Sequence, residues 1–135
     1  MSLSDLRAGE RNEAGIASVL GILKQAFGER FQTGETLRYQ HAHTTTYIPA
    51  QLPDGVVFAE SADDVKTVVR ACADHRVPVI PFGTGSSLEG QVNAPSGGIS
   101  IDFSRMNRIL EVNPEDLDCT VEPGVTREQL NAYLR

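Results

Sequence analysis

A strand–helix–strand pattern over residues 56–80 constrains the fold of this chain more than any other feature of its sequence. The run Val56–Ala59 follows the turn signal Pro53–Gly55 and is short, apolar and rich in β-branched residues, as is typical of a strand buried on both faces. A second short strand is predicted at Val79–Ile80. A helical connection joins parallel strands by a right-handed crossover. We therefore expect two parallel strands that are neighbours in one sheet.

The helix between these strands carries its own start and stop signals. Ser61 is expected to cap it, because the hydroxyl of Ser61 can accept a hydrogen bond from the amide of Asp64. Pro78 disfavours helix at the preceding residue, so the helix should end near His75, which then makes a favourable contact with the helix dipole. The predicted buried stripe of this helix consists of Val65, Val68, Val69 and Cys72.

Other elements surround this unit. Apolar residues at spacings of three and four predict a helix over residues 15–27, with Gly28 as its C-cap. The polar stretch 32–53 is interpreted as an ordered connector without helix or strand. Short strands are predicted at 99–103, 109–112 and 119–121, with a hairpin connection over 113–118. Thr126 and Gln129 predict a capped helix that continues to Arg135. The predicted class is α+β, with a mixed sheet flanked by helices.

Composition excludes several kinds of partner. The 135 residues suit one domain and carry a formal net charge of −6 with only two lysines, which argues against nucleic acid or acidic lipid as the main ligand. No stretch is apolar enough for a membrane span, and residues 1–13 do not resemble a secretory signal. We expect a cytoplasmic setting, in which Cys72 and Cys119 are buried free thiols.

The segment Pro81–Gly90 is the strongest candidate for a ligand site. It combines three glycines with three hydroxyl residues directly after the second predicted strand. Ligands of α/β sheets bind at the carboxyl ends of parallel strands, and consecutive amides in such turns form a concave site for anions. Glycine permits positive φ angles and close approach of a diphosphate. The segment therefore predicts a phosphate site built from backbone amides and hydroxyls.

Two better-known phosphate motifs do not fit this segment. A P-loop requires Lys and then Ser or Thr after its second glycine, whereas Gly90 is followed by Gln91 and Val92. The dinucleotide fingerprint fails at its third glycine, where Leu88 stands. Without further information the loop could also be only a tight connection, because Gly and Ser are common in turns.

Four segments together resemble a known family: Pro53–Val57, Val77–Gly90, Gly97–Asp102 and Val121–Thr126. They are similar to the start of the flavin-binding domain of the vanillyl-alcohol oxidase superfamily, the PCMH-type FAD-binding domain. Within it they look most like the cytochrome-linked D-lactate dehydrogenases, close to the glycolate oxidase flavoprotein subunits and D-2-hydroxyglutarate dehydrogenases. The resemblance covers residues 38–135, so residues 1–37 are interpreted as a separate N-terminal helical segment.

The resemblance implies an FAD site on specific residues. In the family, the loop matching residues 83–88 wraps the FAD diphosphate through backbone amides, and a second turn, matching Pro123–Val125, also contacts the flavin. An alternative for the second turn is that it merely joins a strand to the following helix. Some relatives attach FAD covalently through a histidine in the diphosphate loop, which this loop lacks, so noncovalent FAD is predicted. The predicted cofactor-binding residues are Pro81, Phe82, Gly83, Thr84, Gly85, Ser86, Ser87, Leu88, Gly90, Pro123, Gly124 and Val125.

The resemblance also implies a reaction for the longer family members. They oxidise a D-2-hydroxy acid to the 2-oxo acid by hydride transfer to FAD and pass electrons to a cytochrome, quinone or partner flavoprotein. For the full-length protein, a peripheral membrane location is an alternative to the cytoplasm. Their substrate-binding, catalytic and metal-binding residues, and a further glycine-rich segment, belong to regions that this chain does not match. No catalytic or metal residue is therefore assigned. The alternatives are a relative of the glycolate oxidases or D-2-hydroxyglutarate dehydrogenases, and a flavin-binding or interaction module without turnover.

Charged and titratable residues near these motifs give further expectations. Glu89 would be repelled by a diphosphate, so it should point away from it or accept hydrogen bonds from loop amides. His41 and His43 could lie on one face of an extended segment like metal ligands. Because no third ligand is spaced nearby, solvated loop histidines are the favoured interpretation.

Overall fold

The computed structural model describes residues 10–135, which contain four α-helices and six strands. The helices are α1 (Glu13–Phe27), α2 (Glu35–Gln40), α3 (Ala62–Asp74) and α4 (Arg127–Tyr133). The strands are β1 (Phe31–Gln32), β2 (Gly55–Phe58), β3 (Val79–Phe82), β4 (Ile99–Asp102), β5 (Ile109–Asn113) and β6 (Asp118–Val121). A 3₁₀ turn, Gly28–Arg30, joins α1 to β1. Most of the segment tested for a secretory signal, residues 1–9, lies outside the described residues.

The main sheet has the strand order β1-β2-β4-β3. Strands β2 and β3 are parallel to β4, as expected for a crossover, while β1 is antiparallel to β2. The expectation that β2 and β3 are neighbours is wrong, because β4 lies between them and hydrogen-bonds to both. All four residues of β4 are buried, including Ser100 and Asp102. This is expected of a strand at the centre of a sheet, which is covered on both faces.

The predicted caps are confirmed at α3 and α4. The hydroxyl of Ser61 accepts a hydrogen bond from the amide of Asp64 at 3.2 Å, and that of Thr126 accepts from the amide of Gln129 at 3.1 Å. Helix α3 ends at Asp74 with His75 as its C-cap, as expected. Helix α4 ends at Tyr133, two residues before the predicted end.

One hydrophobic core joins the sheet to α1 and α3. It contains residues of α1, β1, β2, α3 and β4, so residues on both sides of the predicted boundary at 37/38 pack together. Cys72 lies in this core, and burial raises the pKa of its thiol to about 11. Cys119 is only half-buried, contrary to expectation, and neither cysteine forms a disulfide.

The connector before β2 contains structure that the sequence did not predict. Residues 35–40 form α2, and Gln32 belongs to β1. Helix α2 has no buried residue and no side-chain cap, so it lacks the apolar periodicity by which helices are found. It is held by tertiary contacts, since Arg38 donates to the carbonyl of Pro53 and His41, its C-cap residue, hydrogen-bonds to Asp102.

Strands β5 and β6 form the predicted hairpin as a separate two-stranded antiparallel sheet. Leu117, in the connection, adopts a φ of 58° and is 92% exposed. Among the helices of residues 10–135, none has the length and apolar character to cross a membrane.

Candidate functional site

The glycine-rich loop follows β3 at the carboxyl edge of the parallel strands. Phe82, the last residue of β3, is in register with Asp102 at the end of β4, and Asp102 is in register with Phe58 at the end of β2. The loop 83–98 therefore begins where three parallel strands end together. This is the edge at which ligands of such sheets bind.

The first two glycines of the loop differ in whether their surroundings require glycine. Gly85 has a φ of +67°, and a β-carbon there would lie 2.8 Å from Cζ of Phe82, so the fold itself requires glycine. Gly83 has no positive φ, and a β-carbon there would meet no atom within 4 Å. No contact within the described residues requires glycine at position 83. A side chain there would project into the open space at the strand end, where a ligand would approach.

The polar side chains of the loop bond largely to one another. The hydroxyls of Thr84 and Ser86 are 3.0 Å apart, and the hydroxyl of Ser87 is 2.5 Å from Oε2 of Glu89. The Ser87 hydroxyl and the backbone amides of Glu89 and Leu88 lower the pKa of the Glu89 carboxyl by hydrogen bonding. This geometry matches the expected role of Glu89 as an acceptor within the loop. Residues 83–98 contain no Lys or Arg, so any anion there would be held by amides and hydroxyls.

Asn93 supplies an unused buried donor at the far end of the loop. Its side chain is fixed because its Oδ1 accepts a hydrogen bond from the amide of Gln51 at 2.9 Å. Its Nδ2 is buried and has no hydrogen-bond partner among residues 10–135. That nitrogen lies 3.6 Å from the position of a β-carbon on Gly90. A buried N–H without a partner is costly, so an acceptor from a bound ligand would fit here.

The second predicted turn, Pro123–Val125, has a structural reason for its glycine. A β-carbon on Gly124 would lie 2.0 Å from the carbonyl oxygen of Phe103, and the amide of Gly124 donates to the carbonyl of Met106. The amide of Phe103 in turn donates to the carbonyl of Phe82 at 3.1 Å. Residues 103–106 thus connect the two segments predicted to contact the flavin.

The turn is further fixed by an ion pair that the sequence did not suggest. Glu122 accepts hydrogen bonds from the amide and the guanidinium of Arg108, at 2.8 Å and 2.7 Å. These hydrogen bonds lower the pKa of the Glu122 carboxyl. The start of the turn is therefore tied to the segment that leads into β5.

The expectation that both histidines of the connector are solvated is wrong for His41. The residue is 4% exposed, and its Nε2 lies 2.8 Å from Oδ2 of Asp102. His43 is exposed as expected, and its ring stacks on that of Tyr39. Within residues 10–135, no group of three or more metal-ligating side chains could hold a metal ion. The sequence contained one indication of this contact. Asp102 is an acid at the end of a predicted buried strand, and a buried carboxylate needs a hydrogen-bonding or charged partner.

Comparison with known proteins identifies the domain. A family model described as an FAD binding domain matches residues 53–135. The probable mitochondrial D-lactate dehydrogenase of Danio rerio is 39% identical over 123 residues, which are 90% of this chain and 25% of that protein. The glycolate oxidase subunit GlcD of Bacillus subtilis is 34% identical over 97 residues, which are 72% of this chain and 21% of that protein.

The fold has solved counterparts. A crystal structure of p-cresol methylhydroxylase with substrate bound superimposes with a TM-score of 0.76 at 21% identity, over 92% of this chain and 25% of that one. At this identity the likeness concerns the fold. Together the matches confirm the predicted resemblance and the predicted α+β fold class. The chain spans about a quarter of the length of the curated relatives that it matches.

Proposed function

The chain belongs to the FAD binding domain family, and from this membership we propose that it forms the diphosphate-holding part of a flavin-dependent D-2-hydroxy acid dehydrogenase. The proposal places the FAD diphosphate against residues Pro81–Gly90, which are the end of β3 and the start of the loop, with Pro123–Val125 as a second contact. The single observation that carries it is Gly83. Glycine at this position leaves open the space at the end of β3, and no contact among residues 10–135 requires it.

The described residues fit such a group chemically. The loop offers amides and the hydroxyls of Thr84 and Ser86, and Asn93 offers an unpaired donor next to Gly90. FAD, when bound, accepts a hydride from the carbinol carbon of the substrate. The role of this chain is to bind and orient the cofactor, since the redox chemistry belongs to the flavin. No residue of this chain is assigned to catalysis.

The substrate class and the electron acceptor follow from the relatives. A D-2-hydroxy acid is proposed because a relative with 39% identity is named a D-lactate dehydrogenase. A cytochrome or quinone is proposed as electron acceptor, since another relative is named a D-lactate dehydrogenase of the cytochrome type. The similarity to the glycolate oxidase subunit supports a second candidate, oxidation of glycolate or a related 2-hydroxy acid. A flavin-binding module without turnover is the alternative of another class.

One further proposal concerns how FAD is attached to the protein. Noncovalent FAD is proposed because residues 81–98 contain no histidine, and His41 is committed to Asp102. Loss of all flavin to the supernatant on acid precipitation would support this.

A cytoplasmic compartment and a division of the chain at 37/38 are also proposed. The two free cysteines agree with a reducing compartment.

The test is FAD binding by this chain, measured as quenching of FAD fluorescence and as a rise in melting temperature. Gly83→Val should weaken binding by about a hundredfold, because its side chain would occupy space that the diphosphate requires. Gly34→Val is the matched control, since a β-carbon on Gly34 also meets no atom within 4 Å. That control should bind FAD within about twofold of the unmodified chain.

Two results would contradict the proposal. One is a folded chain that neither quenches FAD fluorescence nor gains stability from FAD. The other is a Gly83→Val variant that binds FAD as tightly as Gly34→Val does.

A further inference from the structure

A buried ion pair lies directly beneath the start of the glycine-rich loop. The Nδ1 of His41 is 2.9 Å from the carbonyl oxygen of Leu37, and its Nε2 is 2.8 Å from Oδ2 of Asp102. The other carboxylate oxygen of Asp102 accepts a hydrogen bond from the amide of Ser104 at 2.7 Å. A carbonyl and a carboxylate only accept hydrogen bonds, so both ring nitrogens of His41 face acceptors.

The carboxylate form of Asp102 is favoured by its hydrogen bonds. Burial would raise the pKa of its carboxyl, but hydrogen bonds from His41 and Ser104 outweigh burial and hold the pKa below its ordinary value. Both side chains of the pair are buried, with side-chain exposures of 6% for His41 and 8% for Asp102.

The ring of His41 packs against the residue that leads into the loop. Its centroid is 4.3 Å from that of Phe82, and its edge meets the ring of Phe58 at 6.1 Å. Phe82 in turn lies against Gly85, where a β-carbon would be 2.8 Å from Cζ of the phenyl ring. Phe82 is thus packed between His41 and the glycine that turns the loop with a positive φ.

Other charged groups near the pair have partners of their own. On the β2 side, the guanidinium of Arg105 lies 5.0 Å from the ring centroid of Phe58 and donates to Glu60 at 2.8 Å. On α2, Arg38 donates to the carbonyl of Pro53. His43 and Tyr39, also on this side, stack on one another. Asp102 is therefore the anion that His41 faces.

We propose that His41 and Asp102 are positioning residues for the cofactor loop: the pair fixes Phe82, and Phe82 fixes the turn at Gly85. The proposal rests on the proposed FAD-binding function, but neither residue touches the cofactor in it. A buried ion pair is seldom more stabilising than an apolar pair of the same volume. What this pair adds is a defined position for the ring beneath the loop.

The test compares two carboxylates with similar partners at opposite edges of the sheet. Asp54, before β2, accepts from Arg11 at 2.7 Å and from the amide of Gly98 at 2.7 Å, as Asp102 accepts from His41 and Ser104. We expect Asp102→Ala to weaken FAD binding about tenfold or more, and Asp54→Ala to leave it within about twofold. Both variants should unfold at lower denaturant concentration than the unmodified chain.

A conservative variant separates the effect of the position of His41 from the effect of the charge on Asp102. In Asp102→Asn, the side-chain carbonyl can accept from Ser104 and the amide can donate to a neutral His41, so every hydrogen bond of the pair is retained. FAD affinity should be restored to within about threefold of the unmodified chain. Equal FAD affinities for Asp102→Ala, Asp54→Ala and the unmodified chain would overturn the proposal.

Hydrogen exchange of the loop amides, measured without FAD, tests the positioning role independently of FAD binding. Asp102→Ala should speed exchange of the amides of residues 84–90 relative to Asp54→Ala; unchanged exchange would refute the positioning role even if no variant binds FAD. If Asp102→Ala does not fold, His41→Gln replaces it, because the amide keeps a donor to Asp102 but removes the ring from Phe82. Unaltered loop exchange in a folded His41→Gln variant would equally refute the proposal.

Discussion

The ionisation of Asp102 links the stability of this protein to acid pH. Its pKa is lowered in the folded state because the hydrogen bonds from His41 and Ser104 outweigh the effect of burial. A carboxyl whose pKa is lower in the folded than in the unfolded state adds stability above its unfolded pKa, about 3.9. That contribution is lost as pH falls through the folded pKa.

We therefore expect the stability advantage of the unmodified chain over Asp102→Asn to depend on pH. The difference in unfolding free energy should shrink as the pH is lowered below about 4. Urea unfolding at a series of pH values between 5 and 3 measures it. A difference that does not change between pH 5 and pH 3 would contradict the lowered pKa of Asp102.

At the scale of single residues, the sequence predicts the roles of residues that act on backbone close to them in the chain. The loop glycines and the caps Ser61 and Thr126 act through neighbouring backbone, so their roles are visible from spacing. His41 was misjudged because its partner is 61 residues away, and nothing in the connector reports that contact. The orphaned donor of Asn93 is likewise visible only once Gln51 has fixed its amide.

At the scale of elements, Asn12 joins two helices that are remote in sequence. Its Oδ1 accepts from the amide of Gly15 and caps α1, while its Nδ2 donates to the carbonyl of His75 at the end of α3 at 2.8 Å. A β-carbon on Gly15 would lie 2.3 Å from that carbonyl oxygen, so the two helices approach closely there. One side chain thus satisfies a helix start and a helix end.

Asn12→Ala should therefore cost more stability than removal of an ordinary cap. We expect a loss of about 2 kcal/mol, from a cap and a second hydrogen bond to a half-buried carbonyl, against about 1 kcal/mol for Ser61→Ala. Denaturant unfolding of both variants measures the difference. A loss for Ser61→Ala equal to or larger than that for Asn12→Ala would show that the bond to His75 contributes nothing.

The elements themselves were predictable where an apolar period or a cap marks them, as in α1, α3 and the strands of the crossover. Helix α2 has neither signal, because its six residues are held by contacts to Pro53 and Asp102, which are remote in sequence. The order of the strands was missed for a similar reason. A βαβ pattern specifies parallel strands but leaves open whether a later strand is inserted between them.

At the scale of the whole molecule, burial is unevenly distributed. Every residue of β4 is buried, whereas no residue of β5, β6 or α4 is buried. Local opening is easiest where few apolar groups are buried. The hairpin with α4 should therefore open without unfolding of the main sheet.

Native-state hydrogen exchange tests this difference. Amides in the β5–β6 ladder should exchange at a free energy about 2 kcal/mol or more below that of amides in β2 and β4, whose exchange should follow global unfolding. Equal protection of the two sheets would contradict an independently opening hairpin.

The central place of β4 also sets an order of events for a chain made from its N-terminus. Strands β2 and β3 share no hydrogen bonds with each other, and each finds its parallel partner only when Ile99–Asp102 are available. Until then β2 lacks a partner on one edge and β3 on both edges, and an unpaired edge is a template for pairing with other chains. During synthesis, we therefore expect pairing with other chains to be easier before residue 102 leaves the ribosome than after β4 has joined the two strands.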